Sequence, residues 1–164
     1  MAIVGNGDIA SALKDKPDFL YFASGVSNSL ETREEEYKKE KDLLFSQNVY
    51  DHIVYFSSLS IFYKVSRYTQ HKLEMEDIIK TRFEHYTIMR LGNISWGKNP
   101  NTLINHLRNE YKSGRPLEIQ DVYRYIIDKD EFLHWVDLIP NWNCEMNCPG
   151  RRLKVKDIVK EYVL

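Results

Sequence analysis

Tyr68 and Lys72 stand four residues apart, shortly after an apolar run that closes on Ser57-Ser58. On a helix, residues four apart share a face, so the phenol and the ammonium can meet one bound molecule together. A phenol titrates near pH 10, about three units above neutrality, but a lysine cation beside it favours its anion. Set against a hydroxyl or a ketone, Tyr68 can exchange a proton with it while Ser58 hydrogen-bonds the same oxygen. The spacing alone carries little weight, because Tyr37/Lys41 and Tyr125/Lys129 repeat it. Context selects Tyr68/Lys72, which follows a buried-type strand ending in hydroxyls and opens a helix that returns to another strand. The bland alternative is a tyrosine and a lysine on the wet face of an amphipathic helix.

Oxidation or reduction at such a carbon needs a hydride carrier, and the start of the chain offers a place for one. The pattern Gly5-x-Gly7-x-x-Ala10 follows the apolar Met1 to Val4 and precedes a brief helix at Ser11 to Lys14. It matches the dinucleotide fingerprint: the first glycine makes the tight turn, the second admits a pyrophosphate, and a small third residue packs helix on strand. The helix end behind it offers free N–H groups. An ordinary strand-to-helix turn is the alternative reading. The acidic residue that normally holds the adenosine ribose, about 20 residues further on, has no clear counterpart. That distance falls on Ser27 to Glu31, past the next strand, and neither Glu31 nor Asp18 takes the role.

These groups have to be held by alternating strands and helices. Asp18 to Ala23 is a nearly continuous apolar run, as expected for a strand covered on both faces. Glu31 to Gln47 is charge-dense, with Thr32 and Glu35 spaced as a capping box and Glu34/Lys38 and Glu35/Lys39 as helix ion pairs, so a helix with one wet face is predicted. His52 to Phe56 is the next strand, Ser66 to Lys80 the helix bearing Tyr68, and Tyr86 to Leu91 a strand ending at Gly92-Asn93. This alternation predicts right-handed βαβ units and a mostly parallel, Rossmann-like α/β sheet with helices on both faces. Beyond Lys98 the pattern loosens. A helix at Thr102 to Lys112, a turn at Ser113 to Pro116, short strands within Leu117 to Ile127, and helices at Asp130 to Leu138 and Val155 to Val163 predict a small α+β lobe. The chain reads as one domain, residues 1–97 forming the nucleotide-binding part and 98–164 the lobe.

Composition narrows the function classes. With 23 basic and 24 acidic side chains the formal net charge is −1, so no global field draws the chain to nucleic acid or to anionic lipid. No apolar run reaches the roughly 18 residues needed to span a bilayer, and a cytoplasmic location is expected. Cys144 and Cys148 lack a second pair to complete a zinc site, so no metal is expected, and they read as two reduced thiols.

With these residues assembled, the sequence resembles the extended short-chain dehydrogenase/reductase group, the NAD-dependent sugar-nucleotide epimerases, dehydratases and reductases. Gly5 to Ala10, with Gly7, Asp8 and Ile9, resembles the cofactor turn, and Phe22-Ala23-Ser24-Gly25 the strand end lying along the cofactor. Val54 to Ser58 resembles the strand carrying the catalytic serine or threonine, and Tyr68/Lys72 the catalytic pair. Arg90 to Gly97 is similar to the segment whose asparagine, here Asn93, contacts substrate phosphates, and Arg124 to Asp128 to the segment whose arginine holds the nucleotide diphosphate. Gly150 to Ile158 resembles the closing loop and last helix. The resemblance implies NAD or NADP as cofactor, a nucleotide sugar as substrate, Tyr68 as acid or base, Lys72 on the cofactor ribose, and Ser58 on the reacting oxygen. It also implies a shortened form: Asp18 to Ala23 takes the place of the fourth strand, so the second and third, which build the adenosine pocket, are deleted. An exposed sheet edge left by the deletion predicts a homo-oligomer. The alternative is an inactive reduced relative that binds a nucleotide, a nucleotide sugar or a protein partner.

Overall fold

The computed structural model describes residues 2–164. Its main sheet is built from β1 (Ile3–Val4), β2 (Leu20–Phe22), β3 (Ile53–Ser58), β4 (Tyr86–Leu91) and β7 (Cys144–Cys148), in the order β1-β2-β3-β4-β7. Every pairing is parallel, with Phe22 opposite Tyr55 and Ser58 opposite Leu91. All five strands therefore end at the same edge of the sheet. The apolar runs of β2 and β3 are buried along their length because helices cover both faces.

Side-chain alternation divides the core. Leu20, Phe22, Ile53 and Tyr55 face Leu44 of α2 (Glu34–Phe45) and Met75 and Ile79 of α3 (Arg67–Arg82). Tyr21, Val54, Phe56, Met89 and Leu91 face the other way, against Leu13 behind α1 (Asp8–Ala12) and Phe132 and Val136 of α5 (Lys129–Asp137). A second sheet, β5 (Asn93–Ile94), β6 (Tyr123–Ile127) and β8 (Arg151–Lys154), packs on α4 (Leu103–Lys112) and α6 (Val155–Ile158), which runs on into a π-helical turn.

The predicted Rossmann-like α/β sheet with a small lobe is present, and residues 13–19 carry the chain straight from α1 to β2. Several local expectations need correction. Cys144–Cys148, assigned no element from the sequence, is a strand of the main sheet; it lies at the edge, where exposed Glu145 and Asn147 alternate with inward Met146 and Cys148, so no apolar run marks it. The segment thus leaves the lobe, as α5 does. Helix α2 starts at Glu34 without the Thr32/Glu35 box. Its expected Glu34/Lys38 and Glu35/Lys39 pairs give way to Arg67–Glu34 at 2.7 Å, Lys38–Asp42 at 2.7 Å and Lys39–Glu36 at 3.2 Å. The guanidinium from α3 grips Glu34 through two donors, a geometry an i,i+4 lysine cannot match.

Candidate functional site

Parallel strand ends open onto one cleft of about 1040 Å³, lined by Gly7, Asp8, Ala23 to Gly25, Ser57, Ser58, Tyr68, Lys72, Asn93 and Arg124. A crevice at the carboxyl ends of the strands is where open α/β sheets take ligands. The two glycines of the first turn differ in role. Gly5 has φ +119°, and a Cβ on it would stand 2.6 Å from the Ala23 carbonyl oxygen, so it lets the turn close against the end of β2. Gly7 meets nothing within 4 Å and faces the open cleft. The Asp8 carboxylate accepts the amides of Lys98 at 2.9 Å and Asn99 at 3.0 Å, tying the turn to the loop behind β5. Ile9 packs into the core beneath.

Ser58 ends β3 and caps the 3₁₀ turn Leu59–Phe62, its hydroxyl accepting the Ser60 amide at 3.1 Å and lying 2.6 Å from the Ser60 hydroxyl. Ser66 then caps α3 through a reciprocal box with Thr69, which sets Tyr68 in the first turn and Lys72 one turn on. Lys72 is buried, donates to the Phe56 carbonyl at 3.3 Å, and its Nζ lies 5.4 Å from the centre of the Tyr68 ring and 5.1 Å from that of Tyr55. Burial alone would lower its proton affinity, but Tyr55, Tyr68 and Glu40 outweigh it and hold the ammonium above the ordinary lysine range. Burial likewise pushes the Tyr55 phenol up. The other two Tyr-x-x-x-Lys pairs go elsewhere: Tyr37 is buried and donates to the Glu31 carbonyl, Lys41 pairs with Glu74, and Lys129 opens α5.

Beneath Ser58, the strand ends are fixed by a buried ion cluster. Glu76 of α3 accepts from the Ser57 hydroxyl at 2.6 Å and from Arg90 of β4 at 2.6 and 3.2 Å, and Arg90 also reaches Glu145 and Asn147 of β7. On the lobe side, Asn93 donates to the Tyr125 carbonyl at 3.0 Å. Arg124 donates to Gln120 and to the Tyr123 carbonyl, and lines both the cleft and an adjoining hollow of about 340 Å³. Sequence reasoning missed His106, which lines both spaces, and the buried pair Glu40–His71 behind Lys72.

A nicotinamide nucleotide fits part of this cleft: Gly7 is open, Gly25 is exposed, and Ser58, Tyr68 and Lys72 line the same space. Among the described residues β1 is the edge of the sheet, and no strand lies beyond it on the side of the glycine turn.

No family model matches the sequence, and no curated protein does. Solved structures do match the fold. The Bordetella bronchiseptica enzyme WbmG in complex with NAD and UDP aligns with a TM-score of 0.64 at 13% identity, over 88% of this chain and 56% of that one. UDP-glucuronic acid 4-epimerase from Bacillus cereus, with UDP-glucuronic acid and NAD, gives 0.62 at 16% identity, over 87% and 57%. dTDP-glucose 4,6-dehydratase from Bacillus anthracis, with NAD, gives 0.65 at 14%, over 87% and 56%. The chain spans little more than half the length of each. The chain therefore shares the fold of these three enzymes over a little more than half of their length.

Proposed function

We propose that the chain is an NAD(P)-dependent enzyme acting on a nucleotide sugar by epimerisation, dehydration or keto reduction. The observation that carries this reading is the convergence of Ser58, Tyr68 and Lys72 with the open face of Gly7 on one cleft that runs on to Asn93 and Arg124. A bound nicotinamide would supply the hydride acceptor and donor. Tyr68 takes the proton from a sugar hydroxyl as its carbon is oxidised and returns it when the ketone is reduced. Ser58 donates to the same oxygen. Lys72 binds a ribose hydroxyl and holds positive charge near the phenol. Asn93 and Arg124 meet the diphosphate, with Arg124 free to turn from Gln120 and the Tyr123 carbonyl. Tyr68→Phe should abolish turnover with a nucleotide sugar and NAD(P) while cofactor affinity stays within about threefold, under 1 kcal/mol; retained turnover overturns the assignment.

A second reading has its own support. With β1 at the sheet edge, no strand of the described residues walls the adenosine half, which favours a relative that binds a nucleotide sugar without chemistry. The same edge favours a homo-oligomer; a monomeric mass in sedimentation at high concentration overturns that.

A further inference from the structure

Behind Gly25, the side chains of Glu40, His71 and Lys72 lie together out of solvent. Glu40 leaves α2 with 4% of its surface exposed. Its Oε2 accepts the Val26 amide at 3.0 Å and lies 3.0 Å from Nε2 of the fully buried His71. Its Oε1 is buried without a hydrogen-bond partner, as are the Tyr55 hydroxyl and His71 Nδ1. A Cβ on Gly25 would lie 3.6 Å from Lys72 Nζ and 3.7 Å from Glu40 Oε1, so the ammonium and the free carboxylate oxygen flank one point just under the exposed backbone of the cleft wall.

A carboxylate in such a place is costly unless a cation and hydrogen bonds offset its lost hydration. Joining α2 to α3 does not require it, because Arg67–Glu34 and Lys41–Glu74 already span that seam at the surface. Nor does α2 need a charge there to cover the sheet, where Tyr37 and Leu44 share its buried face. Burial pushes the Glu40 carboxyl up, but the nearby positive charge of Lys72, with His71 and the Val26 amide adding to it, holds it below the usual carboxylate range.

We propose that Glu40 is a positioning residue for Lys72: clamped by His71 and the Val26 amide, its carboxylate keeps the ammonium behind Gly25, where a ligand hydroxyl laid along that glycine can reach it. Among the described residues, Tyr55 from β3, Tyr68 from α3 and Glu40 from α2 hold the charge on Lys72, and of these three Glu40 is the carboxylate. The ligand side rests on the nucleotide-sugar reading of the cleft, whereas the link between the two side chains is a property of the protein alone.

Glu40→Gln keeps the side chain's size and its acceptor for Val26 while removing the charge. In protein carrying [13Cε]lysine, with Lys72 assigned through Lys72→Met, the Lys72 signal is expected to titrate at least about one pH unit lower in Glu40→Gln than in the parent. A midpoint shifted by less than about 0.3 unit overturns the proposal. Should Glu40→Gln alone fail to fold, the double variant Glu40→Gln/Lys72→Met, which removes both charges, is expected to fold; its failure would also overturn it. Calorimetry with NAD gives the second arm. Glu40→Gln should weaken NAD about tenfold or more in the parent and less than about twofold in the Lys72→Met background, the non-additivity of a residue acting through its neighbour. Equal losses in both backgrounds contradict it. Absence of NAD binding in the parent removes the reading of the cleft and leaves the lysine titration to decide on Glu40.

Discussion

Replacing Arg90 by methionine strips Glu76 of two of the three hydrogen bonds it accepts, leaving only the Ser57 hydroxyl. Glu76 is 2% exposed, so water cannot take the place of the guanidinium. Removing one partner of a buried ion pair costs about 3–5 kcal/mol, a large share of the roughly 5–15 kcal/mol that holds a domain folded. At about 2–4 °C per kcal/mol for a chain of this size, the thermal midpoint should fall by about 10 °C or more. Urea denaturation followed by circular dichroism gives the same quantity independently. Adding Glu76→Leu removes the stranded charge and should recover at least half of the loss, because an apolar pair can replace a buried ion pair. A cost of less than about 1 kcal/mol for Arg90→Met, or a double variant that loses the sum of its parts, would refute a buried ion pair between Arg90 and Glu76.

Gly92 joins β4 to the lobe, and a Cβ there would stand 2.4 Å from the Pro149 carbonyl oxygen and 3.1 Å from that of Tyr125. Gly92→Ala should therefore cost about 1–3 kcal/mol by denaturation. At Gly25 a Cβ makes only ordinary contacts, so Gly25→Ala should change stability by less than about 0.5 kcal/mol. Its methyl nevertheless covers the approach to Lys72, so NAD affinity by calorimetry should drop about tenfold. Burial, with Asp137 and Asp15, pushes the Tyr21 phenol up to about 12, and burial with Glu131 pushes the Cys148 thiol up to about 11. Both groups hold their protons more tightly folded than unfolded, so the stability they confer is whole below about pH 9 and is lost as pH rises toward 11 and 12. Thermal midpoints should fall through that window, and Cys148→Ala should flatten the lower part of the fall.

The central strands were legible because both faces of β2 and β3 are covered, which forces unbroken apolar runs; β7, half-exposed at the edge, carries only a weak alternation around Cys144 and Cys148. That Ser58, Tyr68 and Lys72 line one cleft was legible through order along the chain, since parallel strands deliver every strand end to one edge of the sheet. The capping of α2 was misread because Glu31 is engaged by Arg33 and Glu34 by Arg67, partners that proximity in sequence does not reveal for α3. Glu40 was hidden in a charge-dense stretch that reads as a wet face. Its signal was position: Tyr37, Glu40 and Leu44 share one helical stripe, and two of the three belong to the core. A charge on an apolar stripe points to a buried partner, here His71 and Lys72.

Calorimetric titration of the parent and of Lys72→Met with NAD(H), NADP(H) and UDP-sugars decides whether the cleft takes a nicotinamide nucleotide beside Tyr68 and Lys72. Dinucleotide binding to the parent is expected, lost or sharply weakened in Lys72→Met. Binding of a UDP-sugar with no dinucleotide binding at millimolar concentration would contradict it.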